Sequence, residues 1–116
     1  MTEIMTAELT GAALDWAVAK CEGFIDDCNT WLHEATLTEV AEGSYHPSTD
    51  WTQGGLIIER LKISLASPSP IHPDWTAMTW LNKTKQDGST PLIAGMRCFV
   101  ASKLGEKVEI PERLAK

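Results

Sequence analysis

The chain reads as a small α+β domain in which a small antiparallel or mixed sheet packs with an N-terminal and a C-terminal helix. Three observations predict this class: apolar residues at helical spacing over 11–22, a capped and stopped apolar stretch over 90–105, and period-two alternation in the runs that end at Leu65 and Leu81. The 116 residues suit one domain, 1–116, with a single core.

Thr10 is placed to cap a first amphipathic helix over 11–22, where Leu14, Ala17, Val18 and Cys21 recur at helical spacing and Gly23 supplies the stop. Asp15 falls near the positive end of that helix, and Trp16 lies off its central stripe, suited to covering a seam with a neighbouring element or subunit. Residues 24–44 stay open: Phe24-Ile25 favours a strand start, whereas Trp31 to Val40 carries both helical and extended spacing. Tyr45 to Arg60 joins turn residues, Trp51 and the pair Gly54-Gly55 to an apolar run, which reads as a loop held over a strand. From Leu56 to Leu65 apolar and β-branched residues dominate, and Leu61, Ile63 and Leu65 alternate with Lys62 and Ser64, so at least the second half is expected to be a strand.

Three prolines in Ser67 to Pro73 forbid continued sheet pairing and force a turn or extended loop. Trp75 to Leu81 resumes as a strand, with Trp75, Ala77, Thr79 and Leu81 on one face and Thr76, Met78 and Trp80 on the other. Asn82 to Ser89 is polar, contains Asp87-Gly88 and reads as a loop. Thr90 then caps a last helix, Pro91 fits its first position, Lys103 favours its last turn and Gly105 ends it. Leu92, Met96, Phe99, Val100 and Lys103 trace one face, widened by Ile93 and Leu104, so this helix is expected to pack against a sheet. Val108 to Pro111 suggests a short extended edge segment.

The charge is uneven. Residues 1–59 hold eleven acidic residues against Lys20 alone, while residues 60–116 hold nine Lys and Arg against five acidic residues. The basic half offers Arg60, Lys62, Lys83, Lys85 and Arg97 to an anion; complementarity between halves or subunits and plain solvation are the competing explanations. An acidic chain of net charge −6 is a poor ligand for duplex nucleic acid, and no apolar run approaches the roughly 20 residues of a membrane span. The N-terminus lacks a basic region followed by an apolar core, so a cytoplasmic protein is expected.

Cys21, Cys28 and Cys98 are odd in number and form no Cys-x-x-Cys pair, which favours reduced thiols. With His33, His46 and His72 they make no recognised metal pattern, so neither metal nor cofactor is expected. Asp50 with His46 could serve hydrolysis, but that spacing is common by chance, and Gly54-Gly55 forms no phosphate-binding loop.

Taken together, Thr10 to Ala19, Pro47-Ser48-Thr49-Asp50-Trp51 with Gly54-Gly55 and Ile57-Ile58-Glu59, Trp75 with Ala77, and Thr90 to Ala94 with Met96-Arg97 resemble the NinX-like family of small tailed-phage and prophage proteins. Leu56 stands where that family commonly has Pro, and Gly95 where Ala is more usual. The resemblance implies an accessory phage protein in a bacterial host cytoplasm. It carries over no catalytic residue.

The function expected from this reading is binding and sequestration of a small anionic ligand, with a nucleotide-derived bacterial immune signal as the concrete candidate and a homo-oligomer as the acting form. Trp51 would stack the base, Arg60 and Arg97 would neutralise phosphate, and Ser48, Asp50, Thr52 and Gln53 would select ribose or base edges. The alternative is an interaction module that inhibits or modulates a host or phage protein through an acidic, Trp-bearing surface. An enzyme that cleaves the same nucleotide class ranks third.

Overall fold

A computed structural model of the chain describes residues 1–27, 30–33, 39–41, 44–80 and 83–115, and for 25–41 its description concerns the backbone. In chain order the elements are β1 (Thr2–Met5), α1 (Gly11–Glu22), β2 (Phe24–Asp27), β3 (Thr30–His33), β4 (Glu39–Ala41), α2 (Trp51–Leu61), β5 (Ser64–Ala66), β6 (Trp75–Met78), β7 (Lys85–Gly88), α3 (Pro91–Leu104) and β8 (Lys107–Ile110). The α+β class holds. The strands form three antiparallel sheets, ordered β1-β8, β2-β3-β4 and β5-β6-β7.

The last helix is the axis of the fold. Thr90 accepts a hydrogen bond from the Ile93 amide, Pro91 opens the first turn, Lys103 sits in the last, and the Gly105 amide closes on Ala101. The expected single apolar face is too narrow a description, because Leu92, Ala94, Gly95, Met96, Cys98, Phe99 and Val100 are all buried. A helix buried nearly all round needs cover on several sides. β6 and β7 pack against one side of α3, with α1 and α2 against others. The β7 approach depends on Gly88, since a Cβ there would lie 2.5 Å from the Ala94 backbone nitrogen.

Helix α1 forms where expected, and Gly23 ends it in the left-handed region at φ 101°. Its start differs in detail: Thr10 occupies the cap position but makes no side-chain capping bond. Residues 13–19 are buried without interruption, so α1 is an inner helix rather than an amphipathic surface one. Trp16 is buried among them, with the Lys20 ammonium over its ring. Residues 24–27, 30–33 and 39–41, left open by periodicity, are strands.

Two expectations are overturned. The segment read as a loop leading into a strand is instead α2, because Asp50 caps it through the Thr52 amide and because Gly54, Ile57, Ile58 and Leu61 recur at i, i+3, i+4 and i+7. Only Ser64–Ala66 of the apolar run is a strand. The stretch 82–89 likewise is not a loop throughout: Lys85–Gly88 pairs with β6 despite poor strand propensity, since α3 covers it. Strand β1 had no signal of its own and is fixed by pairing with β8 from the opposite end of the chain. The loop after β5 contains a small Ser69–His72 bridge that leaves Ile71 exposed. Cys28, Leu81 and Asn82 lie outside the described residues.

Candidate functional site

Helices α2 and α3 run side by side in the same direction. A Cβ on Gly54 would meet Leu92 Cδ2 at 2.8 Å, and one on Gly95 would meet Ile58 Cδ1 at 2.9 Å, so the two glycines bring the helices into contact near both ends of α2. This parallel pair creates a cleft at each end, and a third cleft lies across α3.

At the C-terminal ends, a cleft of about 600 Å³ is bordered by Arg60, Leu61, Lys62, Thr79, Trp80, Ser102 and Lys103. Trp80 is 71% exposed, yet it is held in place by an indole N–H that donates to Ser64 Oγ at 3.1 Å. Lys62 caps α2 in the left-handed region at φ 53°, an uncommon place for a residue with a Cβ. Among the described residues neither the Lys62 nor the Lys103 ammonium is ion-paired. Arg60 forms a forked pair with both Glu22 carboxylate oxygens. That hydrogen bonding raises the Arg60 pKa, so its charge is permanent. Cations at helix C-termini also answer the negative ends of two dipoles, which is sufficient reason for basic residues to be there. It does not explain an immobilised, exposed indole between them.

At the N-terminal ends, a cleft of about 250 Å³ is bordered by Ser48, Thr49, Trp51, Thr90, Pro91, Leu92 and Ile93. The loop before α2 is anchored by Asp15, whose Oδ1 accepts the Ser48 amide at 2.9 Å. Burial raises the Asp15 pKa, and the Ser48 amide and hydroxyl oppose that rise. Ser48 Oγ, itself fully buried, faces the same carboxylate. Asp50 is drawn the other way: the Thr52 hydroxyl and amide lower its pKa and hold it ionised. His46 Nδ1 is 3.9 Å from Asp50 Oδ2, a loose contact rather than the tight orientation a general-base pair needs.

The third cleft, about 480 Å³, is bordered by Ala7, Asp74, Lys85, Gln86, Asp87 and Arg97. Arg97 donates from Nε to the Leu9 carbonyl and from Nη1 to the Asp87 carbonyl, both at 2.8 Å. It ties the N-terminal segment and β7 to α3, and burial lowers its pKa.

The residues expected to act together are therefore divided. Ser48 and Trp51 share one cleft, Arg60 borders another and Arg97 a third. Asp50 and Thr52 are bonded to each other at the α2 cap, and Gln53 is engaged with the His46 amide and the Ser44 carbonyl. Trp80 and Lys103 were not among the expected site residues, and Lys62 was offered to an anion only as one of five basic residues of the C-terminal half. Lys103 was assigned to the helix end and Lys62 to a strand, so no linear spacing linked them. Burial pushes the Cys98 thiol up to about 11 and the Cys21 thiol up to about 12, which leaves neither as a ready nucleophile. Among the described residues no group of three or more His, Cys, Asp and Glu is arranged to hold a metal ion, and no helix is long and apolar enough to cross a membrane.

The family described as Bacteriophage P22, NinX matches residues 5–103. No curated protein matches the chain.

Proposed function

The chain belongs to the phage P22 NinX family, and from that premise we propose that it is an accessory phage protein that binds and sequesters a small anion bearing a planar ring, of the nucleotide class, in the cleft at the C-terminal ends of α2 and α3. One observation carries this reading: an exposed, hydrogen-bonded Trp80 stands in a cleft of about 600 Å³ shared with Arg60, Lys62 and Lys103. That volume falls in the range of roughly 300–1,000 Å³ typical of small-molecule sites. A base stacked on an indole contributes about 1–3 kcal/mol, and Lys62 and Lys103 supply charge to a phosphate. Arg60 adds field while its fork stays engaged with Glu22. Trp80 thus takes the stacking role first expected of Trp51, and the lysines take the role first expected of Arg97.

Sequestration rather than turnover is the chosen mode, because among the described residues the cleft presents cations and an aromatic face without a nucleophile–base pair. In the host cytoplasm such binding would remove a nucleotide-derived defence signal from solution. Calorimetry of the purified chain against cyclic and linear nucleotides tests this. At least one nucleotide should bind with a Kd below about 100 µM, Trp80→Ala should weaken it about tenfold or more, and the nucleotide should be recovered intact. No binding across the panel, or equal binding by Trp80→Ala, would sink the proposal.

A second reading is favoured by Leu56, 66% exposed in the middle of α2 on the outward side of the helix pair. It is an anchor for a host or phage protein. Loss of a co-purifying partner on Leu56→Glu, with nucleotide binding intact, would decide for it.

A further inference from the structure

We propose that the cleft between the free edge of β7 and the N-terminal segment is a separate binding site, for a free acidic α-amino acid. β7 is the last strand of its sheet, so only one of its edges is paired. The Thr79 amide donates to the Thr84 carbonyl across the β6–β7 register, which makes those two residues a hydrogen-bonded pair. Pairing alternates from there, so Gln86 turns its main-chain groups toward β6 while Lys85 and Asp87 turn theirs outward. The outward Asp87 carbonyl accepts Arg97 Nη1, and the turn Thr6–Glu8 packs against this edge. The Asp87 N–H points to the same side, as a donor at the cleft.

The charges define the class of ligand. Arg97 is half-buried and held by two neutral acceptors, the Leu9 and Asp87 carbonyls; among the described residues it forms no ion pair, and its Nη2 donors have no acceptor. The neighbouring Asp87 carboxylate does not neutralise it, because Asp87 Oδ1 accepts the Thr76 hydroxyl at 2.9 Å and lies 3.5 Å from His72 Nε2. A guanidinium drawn partly out of water without a counter-ion is costly, and an anion on its open donors relieves that cost. Asp74 and Lys85 border the same cleft, both exposed and, among the described residues, without an ion pair. The Asp74 charge acts on Arg97 although the two are not in contact, which leaves room for a carboxylate on Arg97 and the Asp87 amide with an adjacent ammonium on Asp74. Two open cations against one open carboxylate leave Lys85 for a second negative group, and this selects an acidic amino acid over a neutral one. A volume of about 480 Å³ suits a molecule of that size.

The test is an amide-resolved NMR titration of the whole chain with L-glutamate, with N-acetyl-L-glutamate, which lacks the ammonium, and with L-glutamine, which lacks the second carboxylate. Glutamate is expected to move the Asp87 and Gly88 amides along one saturable curve, and each analogue to bind about fivefold more weakly. Asp74→Asn, a surface change, should abolish the preference for glutamate over its N-acetyl form, and Lys85→Gln, equally exposed, should abolish the preference over glutamine. These ratios read charge recognition and do not depend on replacing Arg97, which also ties the fold together. Absence of saturation by about 50 mM glutamate, equal affinity for the N-acetyl form, or ratios unchanged in both variants overturns the proposal. Trp80→Ala should leave this titration unchanged, which separates failure here from failure of the nucleotide reading; loss of glutamate binding in that variant would place the ligand in the other cleft and overturn the assignment.

Discussion

The two ends of the α2–α3 pair are built from the same helices and differ in almost every chemical respect. The N-terminal end presents backbone donors, two hydroxyl-bearing loops and the Asp50 cap; the C-terminal end presents Arg60, Lys62 and Lys103 around an apolar floor. Each end carries an exposed Trp. The arrangement follows from helix polarity, which favours acidic and hydroxyl groups at the start and cations at the finish. The same physics gives the two clefts different chemistry: directional hydrogen bonds at one end and whole positive charges at the other. Parallel helices put like ends together. An antiparallel pair would have mixed the two chemistries at each end.

The comparison is broken most completely through the element both clefts share. Phe99 is fully buried on α3, and Phe99→Ala is expected to cost about 3–5 kcal/mol in urea denaturation and to abolish the proposed nucleotide binding. A variant that keeps the wild-type urea midpoint would show that the clefts do not depend on a common rod.

The two glycines at the helix contact should act locally and unequally. Gly54→Ala drives a Cβ against the Pro47 backbone and is expected to cost about 1–3 kcal/mol. Gly95→Ala meets the Ile58 side chain at Cδ1 (2.9 Å) and Cγ1 (3.1 Å) but no backbone, and helix propensity offsets part of the strain, so its cost should stay below about 1 kcal/mol. Equal denaturation curves for the two variants would contradict this packing.

Two carboxylates at the N-terminal end should respond to pH with opposite sign. Asp15 has a raised pKa in the folded state, so between its unfolded and folded values the native protein holds more protons, and this group's contribution to stability falls as pH rises. Asp50 has a lowered pKa, so its contribution is present above the ordinary carboxylate range and is lost as pH falls. Asp15→Asn retains an acceptor for the Ser48 amide. Urea midpoints measured from about pH 4 to about pH 7 should show the variant gaining on the wild type as pH rises; parallel curves would mean that Asp15 does not carry the effect.

The smallest expected change sharpens the other end. Lys62→Gly places the favoured residue in a left-handed cap, so stability should rise by up to about 1 kcal/mol while nucleotide affinity falls through loss of a cation. A fall in stability with unchanged affinity would mean that the lysine serves packing and not the cleft.

Signals confined to a few neighbouring residues were legible without the fold. Thr90, Pro91 and Gly105 bound α3 as read, and Gly23 ends α1, because caps and left-handed stops act within one turn of backbone. The prolines of 67–73 mark a loop for the same reason. The apolar run from Leu56 was misread because its period is ambiguous over so short a length; what selects a helix there is Asp50 at its start and packing on Leu92 and Gly95. Leu56 itself retains the amide that a proline would lack, which lets α2 continue through it.

The sequence by itself determined the α+β class, the ends of α1 and α3, the family resemblance and the kinds of residue suited to bind an anion. Tertiary structure decided which of those residues remain available. Arg60 is matched to Glu22, 38 residues away, and Arg97 to the Leu9 carbonyl, 88 residues away, while Trp80, Lys62 and Lys103 converge from three separate stretches of the chain. A side chain's chemistry is local, but whether its donors are already spent depends on partners that only the folded chain brings within reach.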